Sequence, residues 1–170
     1  MAIESNALLQ IRLVMDEILD SSADPGASGT VQAVVENANG GRRWANGGGS
    51  GQVERVYKRI RTLASGATDT YDVLAAGSLV TPGGQPIDLD EVKALCLHVV
   101  SGECKLVATG ASFLGVFTAA SEGIKLSAGQ TVALDLGAAG IDSTTASQFA
   151  VTETSASASV EYRLAFIGAQ

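Results

Sequence analysis

A chain of 170 residues with 46% hydrophobic residues is long enough to bury the core of one domain. Its formal net charge of −7 argues against a general binder of nucleic acid or of anionic membranes, because both need a basic face. Only 17% of the residues are charged and there is one His beside two Cys, so we expect neither acid–base catalysis nor a metal or cofactor site.

The N-terminal region holds two candidate strands. Alternate residues from Leu9 to Met15 are apolar, which favours a strand. A helix capped by Ser5 also fits the apolar spacing, so strand and helix both stay open over residues 7–19. A turn-rich loop follows, and the alternation from Val31 to Val35 predicts a second strand.

Residues 37–51 are the least globular part of the chain. Two glycine clusters flank Arg42, Arg43 and Trp44, which is the only Trp, and glycine loses the most backbone entropy on ordering. One interpretation is a flexible arm that docks on a partner, because Trp and Arg are enriched in binding hot spots. The other is a long loop whose Trp covers the edge of its own core. We divide the chain into N-terminal strands and arm (1–51) and a β-sandwich domain (52–170).

Basic residues are concentrated around this boundary in an otherwise acidic chain. The candidates for a partner-binding surface are Arg42, Arg43, Trp44, Arg55, Lys58, Arg59 and Arg61. This run predicts a positive stripe that faces an acidic partner, although a solvated strand face is the alternative. The alternation is imperfect, because Tyr57 and Leu63 fall on the same side as the arginines between them.

The second half of the chain alternates short apolar runs with turns rich in Gly, Ser, Thr and Pro. The predicted strands are Thr68–Leu74, Val92–Val100, Lys105–Ala108, Phe113–Thr118, Gly123–Leu126, Gln130–Leu136, Gln148–Glu153 and Ser157–Ile167. The run Val92–Val100 is apolar on both faces, which is typical of a central strand. So many short strands predict an all-β sandwich or barrel.

The two cysteines do not form a disulfide framework. If Ser101 and Gly102 make a two-residue hairpin turn, Cys96 faces Val107 and the two sulfurs are not cross-strand partners. We interpret Cys96 and Cys104 as small hydrophobic residues. An intermolecular disulfide in a mature assembly stays open.

Few residues of the chain are candidates for catalysis or metal binding. His98 lies in an apolar run and is interpreted as a hydrogen-bonded core histidine. Asp88, Asp90 and Glu91 form the densest group of carboxylates, but a calcium site would need further oxygen ligands, so we interpret them as a solvated strand entrance. No nucleophile motif, phosphate loop or zinc-protease motif is present. We therefore expect a protein that is not an enzyme.

Four segments resemble a small virion protein found in many tailed bacteriophages. They are RTLASGATDTYDV from Arg61, DEVKALCL from Asp90, GIKLSAGQTVAL from Gly123 and SVEYRLAFIG from Ser159. The resemblance implies an antiparallel jelly-roll-like β-sandwich and no metal or catalytic residues. It does not extend to Arg42–Trp44, so the extended N-terminal arm is expected from composition alone.

The leading hypothesis is a capsid decoration or cement protein that binds across coat subunits. Its expected partners are the major capsid protein and neighbouring copies of itself, in a homotrimer. No secretory signal is recognisable at the N-terminus, so we expect synthesis in the host cytoplasm and a final location on the capsid surface. The alternatives are a tail, neck or fibre component of the virion and a carbohydrate-binding β-sandwich module.

Overall fold

The computed structural model describes residues 12–18, 30–36, 42–46, 48–75, 79–80, 86–109, 117, 122–143, 148–155 and 158–170. All regular structure within these ranges is β-strand. The strands are β1 (Arg12–Ile18), β2 (Thr30–Glu36), β3 (Arg42–Asn46), β4 (Gln52–Val53), β5 (Arg55–Leu63), β6 (Thr68–Asp72), β7 (Leu79–Val80), β8 (Pro86–Ile87), β9 (Glu91–Ser101), β10 (Glu103–Ala108), β11 (Gly123–Ser127), β12 (Thr131–Asp135), β13 (Ile141–Asp142), β14 (Gln148–Glu153) and β15 (Val160–Ala169). The all-β prediction is therefore confirmed.

Two antiparallel sheets pack face to face. The first sheet has the order β12-β9-β15-β5, with β13 paired to β9 beside β12, and the second has the order β11-β10-β14-β6. Strand β9 lies between β12 and β15, as its apolar residues on both faces predict. Strand β5 is at the edge of the first sheet and β6 at the edge of the second.

The main core lies between the two sheets and follows the alternation of side chains along each strand. Leu95, Leu97 and Val99 of β9 are all buried there. On the facing sheet, Phe149 meets Phe166 edge-to-face with ring centroids 5.9 Å apart. The intervening residues of the same strands therefore point to the outside of the sandwich.

A third sheet is formed by the N-terminal strands in the order β1-β2-β3-β4. Residues 12–18 are a strand, which settles that part of the helix-or-strand question, and residues 7–11 lie outside the described residues. The predicted second strand is confirmed as β2. Within the expected arm, 42–46 form β3, which pairs with β2 and, in parallel, with β4. Residues 37–41 and Gly47 are outside the described part.

The hairpin considered above for Ser101 and Gly102 does not form, because β9 and β10 belong to different sheets. At Gly102 the chain takes φ 78° and passes from the first sheet to the second. A Cβ there would lie 2.7 Å from the Ser159 carbonyl oxygen, so the crossing depends on a glycine for space as well as for backbone conformation. Cys96 and Cys104 are both free thiols.

Most of the remaining predicted strands lie within the described residues, and one lies almost wholly outside them. The strands expected over 68–74, 105–108, 123–126, 130–136, 148–153 and 157–167 correspond to β6, β10, β11, β12, β14 and β15. The strand expected over Phe113–Thr118 lies outside the described residues except for Phe117, which is buried. No helix among the described residues is long and apolar enough to cross a membrane.

Candidate docking surface

Strand β5 carries most of the predicted basic residues and divides them between two sides. Tyr57 and Leu63 point into the main core, so Arg59 and Arg61 share the inner side with them. Val56 packs on the opposite surface, so Lys58 shares that outer side. The predicted single positive stripe is therefore two separate sets of side chains. We call the surface of the first sheet that is turned away from the second sheet the outer face.

On the inner side, Arg61 makes a two-pronged ion pair with Asp69 of β6. Its Nε lies 2.9 Å from Oδ2 and its Nη2 lies 3.0 Å from Oδ1. Strands β5 and β6 are the edge strands of the two facing sheets, so this pair joins the sheets at one side of the sandwich. Bidentate pairing of this kind is geometrically specific as well as charge-assisted.

Two tyrosines complete this inter-sheet network. Tyr162 of β15 donates its hydroxyl proton to Asp69 Oδ2 over 2.7 Å. The hydroxyl oxygens of Tyr71 and Tyr162 are 2.6 Å apart. Since the single proton of Tyr162 is used on Asp69, Tyr71 is the donor in that second bond. The order of donation is thus Tyr71 to Tyr162 to Asp69.

The network fixes the protonation of its members. Burial raises the pKa of Asp69, but the hydrogen bonds from Arg61 and Tyr162 outweigh burial and leave that pKa below its ordinary value. Burial is the main reason that the pKa of Tyr71 and that of Tyr162 lie well above the ordinary tyrosine value. The result is an ionised carboxylate and two neutral phenols near neutral pH, which is a stable structural arrangement without a free general base.

The other inner arginines also bind within the chain. The guanidinium carbon of Arg59 lies 5.6 Å from the centre of the Tyr57 ring, and its Nη2 donates to the Val80 carbonyl oxygen over 3.1 Å. Arg55 donates from Nη1 to the Glu54 carbonyl oxygen and from Nη2 to Gln170 Oε1. These two side chains therefore have intramolecular roles.

Trp44 of β3 is buried on the outer face and is only 1% exposed. It forms a second hydrophobic cluster with Val53, Val56, Ala94 and Ile167. Its indole Nε1 has no hydrogen-bond partner among the described residues. The arrangement matches the interpretation in which Trp44 covers the chain's own apolar surface. Arg42 and Arg43 lie in β3, where they pair with Val35 and Val34 of β2.

The outer face continues beyond Trp44 into an exposed region centred on Ile60. Ile60 is 63% exposed, the highest value among the exposed large hydrophobic residues, and it pairs with Arg163 of β15. Lys58 is two residues from Ile60 on the same side of β5, and both Lys58 and Arg163 are exposed. Neither cation has an ion pair or hydrogen bond within the described residues. We call Lys58, Ile60 and Arg163 the Ile60 patch.

His98 lies next to this patch, not in the core. It pairs with Arg163 in the sheet register and is half-buried on the outer face. Its Nδ1 is 2.8 Å from Thr131 Oγ1. The prediction of a hydrogen-bonded histidine is confirmed. Its predicted location in the core is wrong, because the side of β9 that lies on the outer face is partly open to solvent.

The carboxylates expected at the entrance to β9 do not gather into one site. Glu91 Oε2 lies 3.3 Å from the ammonium of Lys93, which is fully buried and donates to the Gly49 carbonyl oxygen over 2.8 Å. Asp90 is exposed and Asp88 half-buried. Among the described residues, no group of three or more His, Cys, Asp and Glu side chains is placed to hold a metal ion.

Comparisons with known proteins add no family to this geometry. A scan against protein-family models finds no match, and a search of curated proteins finds none either.

The arrangement is suited to binding by contact. On the inner side, Arg61, Asp69 and the two tyrosines bond to one another in one network, while the outer face presents an apolar side chain between two cations that have no ion pair among the described residues. Sequence reasoning singled out Lys58 but missed Ile60 and Arg163. Ile60 had a usable signal, because it is an apolar residue two positions from Lys58 on the same side of β5. Arg163 had none, because only the β5–β15 register brings it beside Ile60.

Proposed function

We propose that the two facing sheets form a jelly roll. Supporting this, the chain passes repeatedly between them: β5, β9, β12 and β15 belong to the first sheet, whereas β6, β10, β11 and β14 belong to the second. Eight strands in two antiparallel sheets connected in this way are typical of jelly rolls, an architecture used by viral capsid and lectin domains. The segments between Arg61 and Gly168 that resemble tailed-phage virion proteins agree with this assignment.

We infer that the protein is a structural component of a tailed-phage virion, and specifically a capsid decoration or cement protein. The observation that carries this proposal is the Ile60 patch, an exposed isoleucine on an acidic chain between two cations that have no ion pair among the described residues. Such a surface fits contact with another protein, because apolar side chains ringed by polar groups are common in interfaces. We propose no catalytic role.

The proposed action is stabilisation of the assembled head by linkage. Each copy binds the major capsid protein at sites that only the assembled shell presents, and so lowers the free energy of the shell relative to free coat subunits. Many weakly bound copies on one closed lattice act together through multivalency. We propose that the copies form homotrimers on the capsid surface and that an extended N-terminal arm, within residues 1–51, contacts neighbouring subunits.

One observation weighs against the carbohydrate-binding alternative. Sugar platforms use exposed aromatic rings, and each of the seven described aromatic residues is at most 8% exposed. They are Trp44, Tyr57, Tyr71, Phe117, Phe149, Tyr162 and Phe166. The described surface therefore offers no aromatic ring for stacking against a sugar.

A binding experiment with purified heads tests the proposal. Recombinant protein is added to heads that lack it, and bound protein is quantified together with the temperature at which the heads release DNA. We expect saturable binding in hundreds of copies per head and a higher release temperature. Absence of binding together with unchanged heat resistance would refute the proposal. A small fixed number of copies located at the tail would instead assign the chain to the tail, neck or fibres.

A further inference from the structure

We propose that the Ile60 patch is the surface that contacts the coat protein, and that its partner is a carboxylate-bearing surface with an apolar contact point. This inference rests on the proposed function and identifies the chemistry of the partner. It differs from the stripe predicted from sequence, because Arg59 and Arg61 are excluded and Arg163 is included.

The first argument is the state of the basic side chains. Arg61 is neutralised by Asp69, and Arg59 bonds to Val80. Lys58 and Arg163 have no acidic partner among the described residues, so an incoming carboxylate would not have to displace one. Their attraction for an acidic surface is therefore available for binding.

The second argument is geometry. Ile60 and Arg163 are directly paired on neighbouring strands, which are about 4.8 Å apart in a sheet. Lys58 pairs with Ala165, the next outward position of β15, whose small side chain leaves the stem of Lys58 open to one side. An apolar group that covers Ile60 can thus have carboxylates on both flanks. Exclusion of water by the apolar contact would strengthen both charge interactions.

The third argument is the contrast with the outside of the second sheet. There Lys125 Nζ is 2.8 Å from Glu103 Oε2, and the hydroxyls of Thr68 and Thr152 are 3.1 Å apart. That surface pairs its polar groups internally. The asymmetry between the two outsides of one sandwich points to the first sheet as the side that meets a partner.

The test compares two double variants that change the net charge equally. Lys58→Glu with Arg163→Glu alters the Ile60 patch, and Lys105→Glu with Lys125→Glu alters the outside of the second sheet. We expect the first variant to lower the affinity for purified heads about tenfold or more, with both variants folded by circular dichroism, and the second to change it by less than about threefold. The loss should be largest at low salt, because salt screens exposed charges.

A second pair of variants tests the apolar contact with little change in strand propensity. Ile60→Thr and the control Val107→Thr both keep a β-branched side chain, and Val107 is half-buried on the outside of the second sheet, two residues from Lys105. We expect Ile60→Thr to weaken head binding about tenfold and Val107→Thr to leave it unchanged.

Each other outcome is decisive. If the unmodified protein binds heads and the two double variants bind equally, the patch assignment is wrong while the proposed function stands. If the unmodified protein does not bind heads, the proposed function fails and the partner assignment with it. If the patch variant loses sedimentation-detected self-association, or retention on double-stranded DNA, while head binding is unchanged, the partner is a second copy or a polyanion and the inference is overturned.

Discussion

Basic side chains lie on both the inner and the outer side of strand β5, but among the described residues only those on the inner side are bound within the chain. On the inner side, Arg61 pairs with Asp69 across the two sheets, and Tyr162 donates a hydrogen bond to the same carboxylate. On the outer side, Lys58 and Arg163 have no partner within the described residues and flank an exposed isoleucine. The basic residues of β5 therefore contribute both to a structural ion pair and to the proposed docking surface, and the direction of each side chain separates the two.

The largest expected effect comes from Trp44, the residue that covers one end of the outer face. Replacing a fully buried Trp by Ala removes its packing and leaves a cavity, so Trp44→Ala should lower the free energy of unfolding by about 3–5 kcal/mol. The change is measured by urea denaturation of the full chain.

Trp44→Phe is the matched control for that variant. It keeps most of the apolar contact and removes the indole N–H, which has no partner among the described residues. It should therefore cost much less than the Ala substitution. A Trp44→Ala protein as stable as the unmodified chain would mean that the indole belongs to the binding surface and not to the fold.

The second prediction concerns the ion pair between Arg61 and Asp69 on the inner side of β5. Asp69→Asn removes the charge that Arg61 and Tyr162 share, and should lower the free energy of unfolding by about 2 kcal/mol at neutral pH. Asp69 has a lowered pKa in the folded state, so its contribution is present above its unfolded pKa, about 3.9, and is lost as the pH falls through the folded value. The stability difference between the two proteins should thus be constant from pH 7 to pH 5 and shrink in stronger acid.

Asp88→Asn provides the control for Asp69→Asn. Its carboxylate has no hydrogen bond within the described residues, so the same chemical change should shift stability by no more than about 0.5 kcal/mol. Urea denaturation at a series of pH values measures all three proteins. A pH-independent difference between Asp69→Asn and the unmodified chain would show that the Asp69 charge is not the stabilising feature.

Local patterns were sufficient for most of the longer strands, but they missed β3 and were insufficient for the partners of every strand. Alternation and turn residues predicted β2, β9 and β14, because the period of two is a property of each strand alone. The turn at Ser101–Gly102, which also suited a hairpin, shows the limit of that reasoning. A turn sequence specifies a change of direction, but the packing of the whole core decides which sheet the next strand enters.

The candidate surface was only partly predictable for the same reason. Its cations were visible in the sequence, yet their division depends on which side of β5 is turned to the core, where the Tyr57 ring stacks on Phe166. Arg163 joins the patch through pairing between strands that are about a hundred residues apart in sequence, which no local pattern encodes.

The smallest expected effect is a difference in reactivity between the two thiols, which compares the main core with the outer face of the first sheet. Cys96 lies half-buried on the outer face, whereas Cys104 is in the main core, where burial raises its pKa to about 11. Burial also raises the pKa of Cys96. Because the thiolate is the reactive form and access is required, a thiol reagent should modify Cys96 at least about tenfold faster than Cys104 in the native protein. Cys96→Ser should abolish the fast phase, and denaturant should make both thiols react alike. Equal native rates would place both sulfurs in one environment and contradict the separation of the two sides on which the proposed docking surface depends.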